Sequence, residues 1–169
     1  MGAPRARRRL SGFPPLRRRS LAEFDLALRF NPNFSQAQNH RAAALAFCGH
    51  WEESIRTVAR ALRLSPRDPL SALYYATACF AHYIGGNYDE ARRLARTAVR
   101  LRGDFASAHR VLTAATGMVG PPEAAAAALE ELRRAQPNIS LAWVAKYIPL
   151  KRESDRERYL EGFRRAGLN

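Results

Sequence analysis

SIRTVARALRLSP, residues 54–66, decides the fold, because three other stretches keep its pattern of small and apolar positions. Laid under it, SLAEFDLALRFNP (20–32), ARRLARTAVRLRG (91–103) and AAAALEELRRAQP (125–137) align without gaps. One row is Ser20, Ser54, Ala91 and Ala125; a second is Phe24, Val58, Ala95 and Leu129; a third is Ala27, Ala61, Ala98 and Leu132. The last two rows stand three residues apart, so both fall on one helical face. Each stretch ends on a helix breaker, at Asn31-Pro32, Ser65-Pro66, Arg102-Gly103 and Gln136-Pro137, recurring at intervals of 34, 37 and 34 residues.

Working outward, Gly49, Gly86 and Gly120 each precede the first row by five residues, where a chain leaving one helix must reverse into the next. Glycine relieves the left-handed backbone often used at such a turn. Each unit therefore reads helix, Gly turn, helix, break. The spacing predicts helices over 20–31, 35–48, 51–64, 69–84, 88–102, 106–118, 122–135, 139–147 and 154–166, with no competing strand pattern. The 37-residue interval places three extra residues between Pro69 and Gly86, expected to lengthen that helix by nearly a turn. Ser20 with Glu23, Asn87 with Glu90 and Ser154 with Glu157 fit a cap residue followed by an acid three later.

A period near 34 residues with this layout resembles the tetratricopeptide repeat. The resemblance runs from about Ser20 to Pro137 and implies an all-α, right-handed α-α superhelix of antiparallel hairpins. The large aromatic and Leu-Gly pair usual in the first helix are replaced by Gln38, Arg41 and Ala42 in one repeat, and by His109, Leu112 and Thr113 in another. Residues 20–137 read as one partial and three full repeats, 138–169 as C-terminal capping helices, and 1–19 as a basic leader or truncated first helix. Repeat arrays need such caps to cover the last hydrophobic face. At the front the helix that should pair with Ser20–Asn31 is missing, which exposes Phe24, Ala27 and Leu28 in part. A fragment of a larger parent is the expectation, ahead of a misassigned start or an upstream frameshift.

Charge is concentrated at that same end. The net charge is +13, yet residues 1–20 carry seven arginines and no acid, so the remainder is only +6. Arg7, Arg8, Arg9, Arg17, Arg18 and Arg19 offer a polyanion site through counterion release, although Pro4, Pro14 and Pro15 interrupt regular structure and no interleaved aromatics supply base stacking. The uncharged run from Leu70 to Gly86 holds too many polar side chains for a membrane span. A cytoplasmic location is the default expectation, with neither a membrane nor a nucleic acid as the favoured partner.

Three motifs, AEFDLALRFNPNFSQA (22–37), RALRLSPRDPL (60–70) and DRERYLEGFRRAGL (155–168), together resemble the C-terminal tetratricopeptide region of bacterial class III adenylate cyclase-like proteins, a region type that also follows winged-helix regulators. The resemblance implies an accessory region of a signalling protein. The cyclase fold with its metal-binding aspartates lies upstream in that family, and residues 1–20 do not supply it.

Chemistry-bearing constellations are sparse, and the chain is expected not to be an enzyme, with no cofactor. No serine or acid stands at triad spacing from His40, His50, His82 or His109. Cys48, His50, Cys79 and His82 make a set of zinc-type ligands, but their spacing matches no zinc finger, and buried cysteine commonly fills repeat cores; no metal site is expected. The pairs Glu52-Glu53, Asp89-Glu90 and Glu130-Glu131 read as dipole partners near helix starts rather than acid-base pairs. No glycine-rich phosphate loop is present.

What the repeat supplies is a wall. First helices of successive hairpins line the inside of a superhelix and leave a groove for a peptide or helix. Repeat-equivalent positions on that wall are Gln36, Asn39, Ala43 and Phe47 in one hairpin and Ser107, Arg110, Ala114 and Met118 in another, with Tyr75 and Thr77 between them. Phe47 and Met118 compete between wall and interhelical packing. The sequence therefore predicts a protein-interaction scaffold that grips a peptide or a partner domain, its parent's domains included, with Asn39 and Arg110 as the polar contacts.

Overall fold

The computed structural model describes residues 15–169, with side chains from Ser20 onward. Of the leader expected over residues 1–19, residues 1–14 lie outside them. Nine helices and no strand are present among the described residues: α1 (Pro15–Phe30), α2 (Ser35–Phe47), α3 (Trp51–Leu64), α4 (Ser71–Ile84), α5 (Tyr88–Leu101), α6 (Ala106–Val119), α7 (Pro122–Ala135), α8 (Leu141–Tyr147) and α9 (Glu153–Arg165).

Consecutive helices pack as antiparallel neighbours from α1 to α7. The first helices of successive hairpins also touch directly, α2 with α4 and α4 with α6, whereas α3, α5 and α7 make at most marginal contact with one another. That asymmetry bends the stack: α2, α4 and α6 form the inner wall and α3, α5 and α7 the outer one. The three aligned rows are what hold it together. Ser54, Ala61, Ala91, Ala95, Ala98 and Leu132 are fully buried, and Val58, Ala125 and Leu129 nearly so. Small side chains there let backbones approach closely, as where Ser54 donates its hydroxyl to the carbonyl of Ala42 at 2.7 Å.

Several local expectations are corrected. The first helix starts at Pro15, not Ser20; proline lacks an N–H that would be orphaned there anyway and presets a helical φ. Ser20 and Ser154 consequently lie inside helices, and Asn87, though at the N-cap of α5, makes no side-chain cap bond. The side chain that caps is Ser140, which accepts from the Trp143 amide at 3.0 Å. Gly49 and Gly86 turn with φ of 80° each, but Gly120 is extended, φ −94°, because the two prolines after it favour extended backbone. The insertion enters mainly the turn before α4, which runs six residues from Ser65 to Leu70. Asp68 organises that turn, accepting from the Leu70 amide at 2.8 Å and the Tyr74 hydroxyl at 2.7 Å.

The C-terminal element does more than seal the last repeat. Helix α9 packs on α6 and α8, and the segment leading into it crosses the inner wall: the Lys151 amide donates to the Phe47 carbonyl at 3.0 Å. Arg158 donates to the Ile84 carbonyl at 3.0 Å, while the Tyr83 hydroxyl donates to the Arg158 carbonyl at 2.8 Å. Tyr159 stacks edge-on against Phe80 and Tyr83, and Phe163 against Tyr159. The crossing is possible because two glycines meet. A Cβ on Gly117 would collide with the Gly162 carbonyl, and one on Gly162 would sit 2.6 Å from the Ala114 carbonyl.

At the opposite end Leu21 is buried with Leu45 and Cys48, and Phe24 stacks on His40 with ring centroids 5.8 Å apart. The residues left open are Leu26 and Phe30, 46% and 83% exposed.

Replacing Gly162 with valine forces α9 off α6 and is expected to cost about 1–3 kcal/mol or more, read as a lowered urea midpoint. Gly103→Ala, which meets no atom within 4 Å, leaves the midpoint unchanged or raises it.

Candidate functional site

Inner-wall geometry leaves an apolar cavity of 170 Å³, lined by Ala43 and Phe47 from α2, Leu73, Ala76, Thr77 and Phe80 from α4, and Ser107, Arg110 and Val111 from α6. Ile148 and Tyr159 close its remaining side. Leu73, Ala76, Thr77 and Phe80 follow the i, i+3, i+4, i+7 spacing of one helical face, which is why one helix supplies so much of the lining.

Arg110 provides the cationic group in an otherwise oily lining. It donates to the Gln136 side-chain oxygen at 2.6 Å and lies over the Trp143 ring at 5.2 Å from its centroid. Those contacts pin a guanidinium that has five N–H donors. Among the described residues no carboxylate pairs with it. Burial pushes the Tyr159 phenol well above its usual range, so Tyr159 adds no charge beside Arg110.

Of the ten wall residues predicted from the sequence, the structure brings Ala43, Phe47, Thr77, Ser107 and Arg110 to this cavity. The other five lie elsewhere. Gln36 is exposed at the start of α2. Asn39 is 1% exposed and neither polar atom of its side chain finds a hydrogen-bond partner, so it is not an open gripping residue. Tyr75 packs beside the cluster of Ala76, Ala98 and Ala108. Ala114 is fully buried where α9 crosses α6, and Met118 packs against the main core. Both lose the open groove to α9, which no repeat spacing announces. Leu73, Ala76 and Phe80 escape the repeat spacing, which puts the insertion in the helix; most of it enters the turn before α4, and the register of α4 shifts with it. Ile148 and Tyr159 carried no signal beyond the amphipathic C-terminal pattern.

A larger groove of 640 Å³ lies between α1, α2 and α3, lined by Leu28, Pro32, Gln38, Arg41, Glu53, Arg56, Thr57 and Arg60. Its polar groups are largely spent on one another. Arg41 bridges Asp25 at 2.8 Å and Glu53 at 2.9 Å, and Gln38 and Arg60 both donate to the Pro32 carbonyl at 3.3 Å.

The zinc-type set is dispersed. Cys48 belongs to the cluster around Leu21 and Cys79 to the main core, where its thiol contacts the Ala76 carbonyl at 3.1 Å. Among the described residues no three His, Cys, Asp or Glu side chains gather as a ligand set. Glu52-Glu53 and Asp89-Glu90 stand in the first turns of α3 and α5, while Glu130 and Glu131 pair with Arg133 and Arg134, both at 2.6 Å. No described helix is long and apolar enough to cross a membrane.

A scan against protein-family models found no match. A search of curated proteins also found none. Among solved structures the chain is similar to the crystal structure of MamA, a tetratricopeptide-like helical protein, with a TM-score of 0.62 and 17% identity over 86% of this chain and 84% of that one. The chain has a tetratricopeptide-type solenoid fold. At that identity the likeness speaks to fold alone.

Burial also pushes the Cys79 thiol up, so the reactive thiolate is scarce at neutral pH. Both cysteines are buried, and neither is expected to react with Ellman's reagent in the native protein; both should titrate within minutes in guanidinium.

Proposed function

We propose that the chain is a protein-interaction module whose inner wall anchors a segment of a partner protein through one bulky apolar side chain. The observation that carries this reading is the convergence of three inner helices and the C-terminal segment on a single apolar cavity with Arg110 at its rim. A volume of 170 Å³ suits one leucine- or phenylalanine-sized group. Burying such a group contributes about 1.5–3 kcal/mol. A carboxylate or backbone carbonyl flanking it on the partner would take the remaining guanidinium donors of Arg110, whose planar fork suits bidentate contact. Shape and one cation thus replace the Asn39 and Arg110 pair expected from spacing. The reading involves no catalysis and no cofactor. The resemblance to regions that follow cyclase or winged-helix domains makes domains of a longer parent the first partners to try, and the upstream reading frame would show whether such a domain is encoded.

Panning a random peptide library on the full chain is expected to enrich peptides with one large apolar residue near an acid. Ala43→Trp, which fills the cavity, should abolish their binding while the thermal midpoint stays within a few degrees. Arg110→Ala should weaken them about ten- to a hundredfold, the loss of one charge-assisted hydrogen bond of about 1.5–3 kcal/mol. Enriched peptides that bind Ala43→Trp as well as the parent chain would sink this site.

A further inference from the structure

Opposite in character to the apolar cavity is the solenoid edge formed by the turn after α1 and the end of α3. Two bonds put these side by side: the Ser35 hydroxyl donates to that of Ser65 at 2.9 Å, and Arg60 reaches the Pro32 carbonyl at 3.3 Å. The edge displays Arg29, Arg60, Arg63 and Arg67, all exposed, beside Phe30 and Phe34, which are 83% and 42% exposed.

An arginine in the last turn of a helix complements its dipole, and Arg29, Arg63, Arg100 and Arg134 occupy that same position in successive repeats. The surplus at this edge is not accounted for that way. In the last repeat Glu131, three residues before Arg134, neutralises it. The equivalent positions before Arg29 and Arg63 hold Leu26 and Arg60. Arginines of α7 and α9 are all paired with glutamate or aspartate. Among the described residues none of the four edge arginines has a carboxylate partner. The acid beside them, Asp68, has its two oxygens engaged by the Leu70 amide and Tyr74.

At the repeat-equivalent positions Leu101 is also exposed, 53%, whereas Leu64 and Ala135 are half-buried; at Phe30 the position carries an aromatic ring that stands open to solvent.

We infer that this edge binds single-stranded nucleic acid. Phosphates lie along Arg29, Arg60, Arg63 and Arg67, whose guanidinium forks match phosphate oxygens, and a base stacks on Phe30. Cations interleaved with exposed aromatics are what a sequence-tolerant single-strand site needs, with a base at every step to stack, whereas a run of aspartates or glutamates has no ring to place on Phe30.

The test uses the full chain and a fluorescein-labelled oligothymidylate of about fifteen nucleotides, within the site sizes of single-strand grooves, followed by anisotropy across a salt series. Arg60→Glu with Arg63→Glu should weaken binding at least tenfold and flatten the slope of log K against log salt by about 1.4, two lost single-strand phosphate contacts. Phe30→Ala should weaken it about tenfold and leave affinity for a duplex of equal charge unchanged. Circular dichroism melts establish that these exposed-site variants remain folded. Arg7→Gln, Arg8→Gln and Arg9→Gln together should leave the effects of the edge variants intact. Binding lost with those three changes yet indifferent to the edge would overturn the proposal in favour of a tail. Indifference to Phe30→Ala, or equal competition by polyglutamate, would overturn the assignment to single strands. The Ala43→Trp peptide result is independent of every one of these outcomes.

Discussion

Close approach of helix backbones is the constraint on which this molecule rests. Ser54, Ala91 and Ala125 sit at one repeat position, Ala61 and Ala98 at another, and all are excluded from water. A larger side chain at any of them would push two helices apart and, because each hairpin is the template for the next, displace the rest of the stack. The Gly117 and Gly162 crossing is the same constraint carried to its limit, with no Cβ tolerated on either helix. In the first repeat Ser20 is exposed and Phe24 and Ala27 are only half-buried, at positions that are closed in the later repeats.

Helix α9 converts an open repeat array into something more selective. A bare inner wall would present Ala114, Met118, Phe80 and Tyr83 as a long apolar groove. Once Tyr159 and Phe163 are packed into it, what remains is a cavity the size of one side chain with Arg110 at its edge. The element that stabilises the last repeat therefore also sets how much surface a partner can use. Rigid closure of this kind favours binding, since less freedom is lost when a ligand arrives.

Electrostatics divide the molecule along its length. Toward the C-terminus α7 and α9 pair their own charges, mostly three or four residues apart, and such exposed pairs contribute little to stability but leave a balanced surface. Toward the N-terminus the acids thin out and arginines stand alone beside exposed phenylalanines. The partly buried ion pairs of Arg41 with Asp25 and Glu53 tie α1, α2 and α3 together there.

Period, breakers and small-residue rows in the sequence by themselves determined the all-α repeat architecture, and helix limits within a few residues, because local steric rules act over the same distances that the spacing records. They also determined which helices face inward, and so half of the cavity's predicted lining. Only the tertiary structure decided the rest. Whether three extra residues enter a turn or a helix depended on Asp68 finding Tyr74, and whether Asn39 or Ala114 could meet a ligand depended on helices far away in the chain. The long-range docking of α9, made by contacts between residues some 75 positions apart such as Tyr83 and Arg158, has no periodic signature, since a single event leaves no repeat to read.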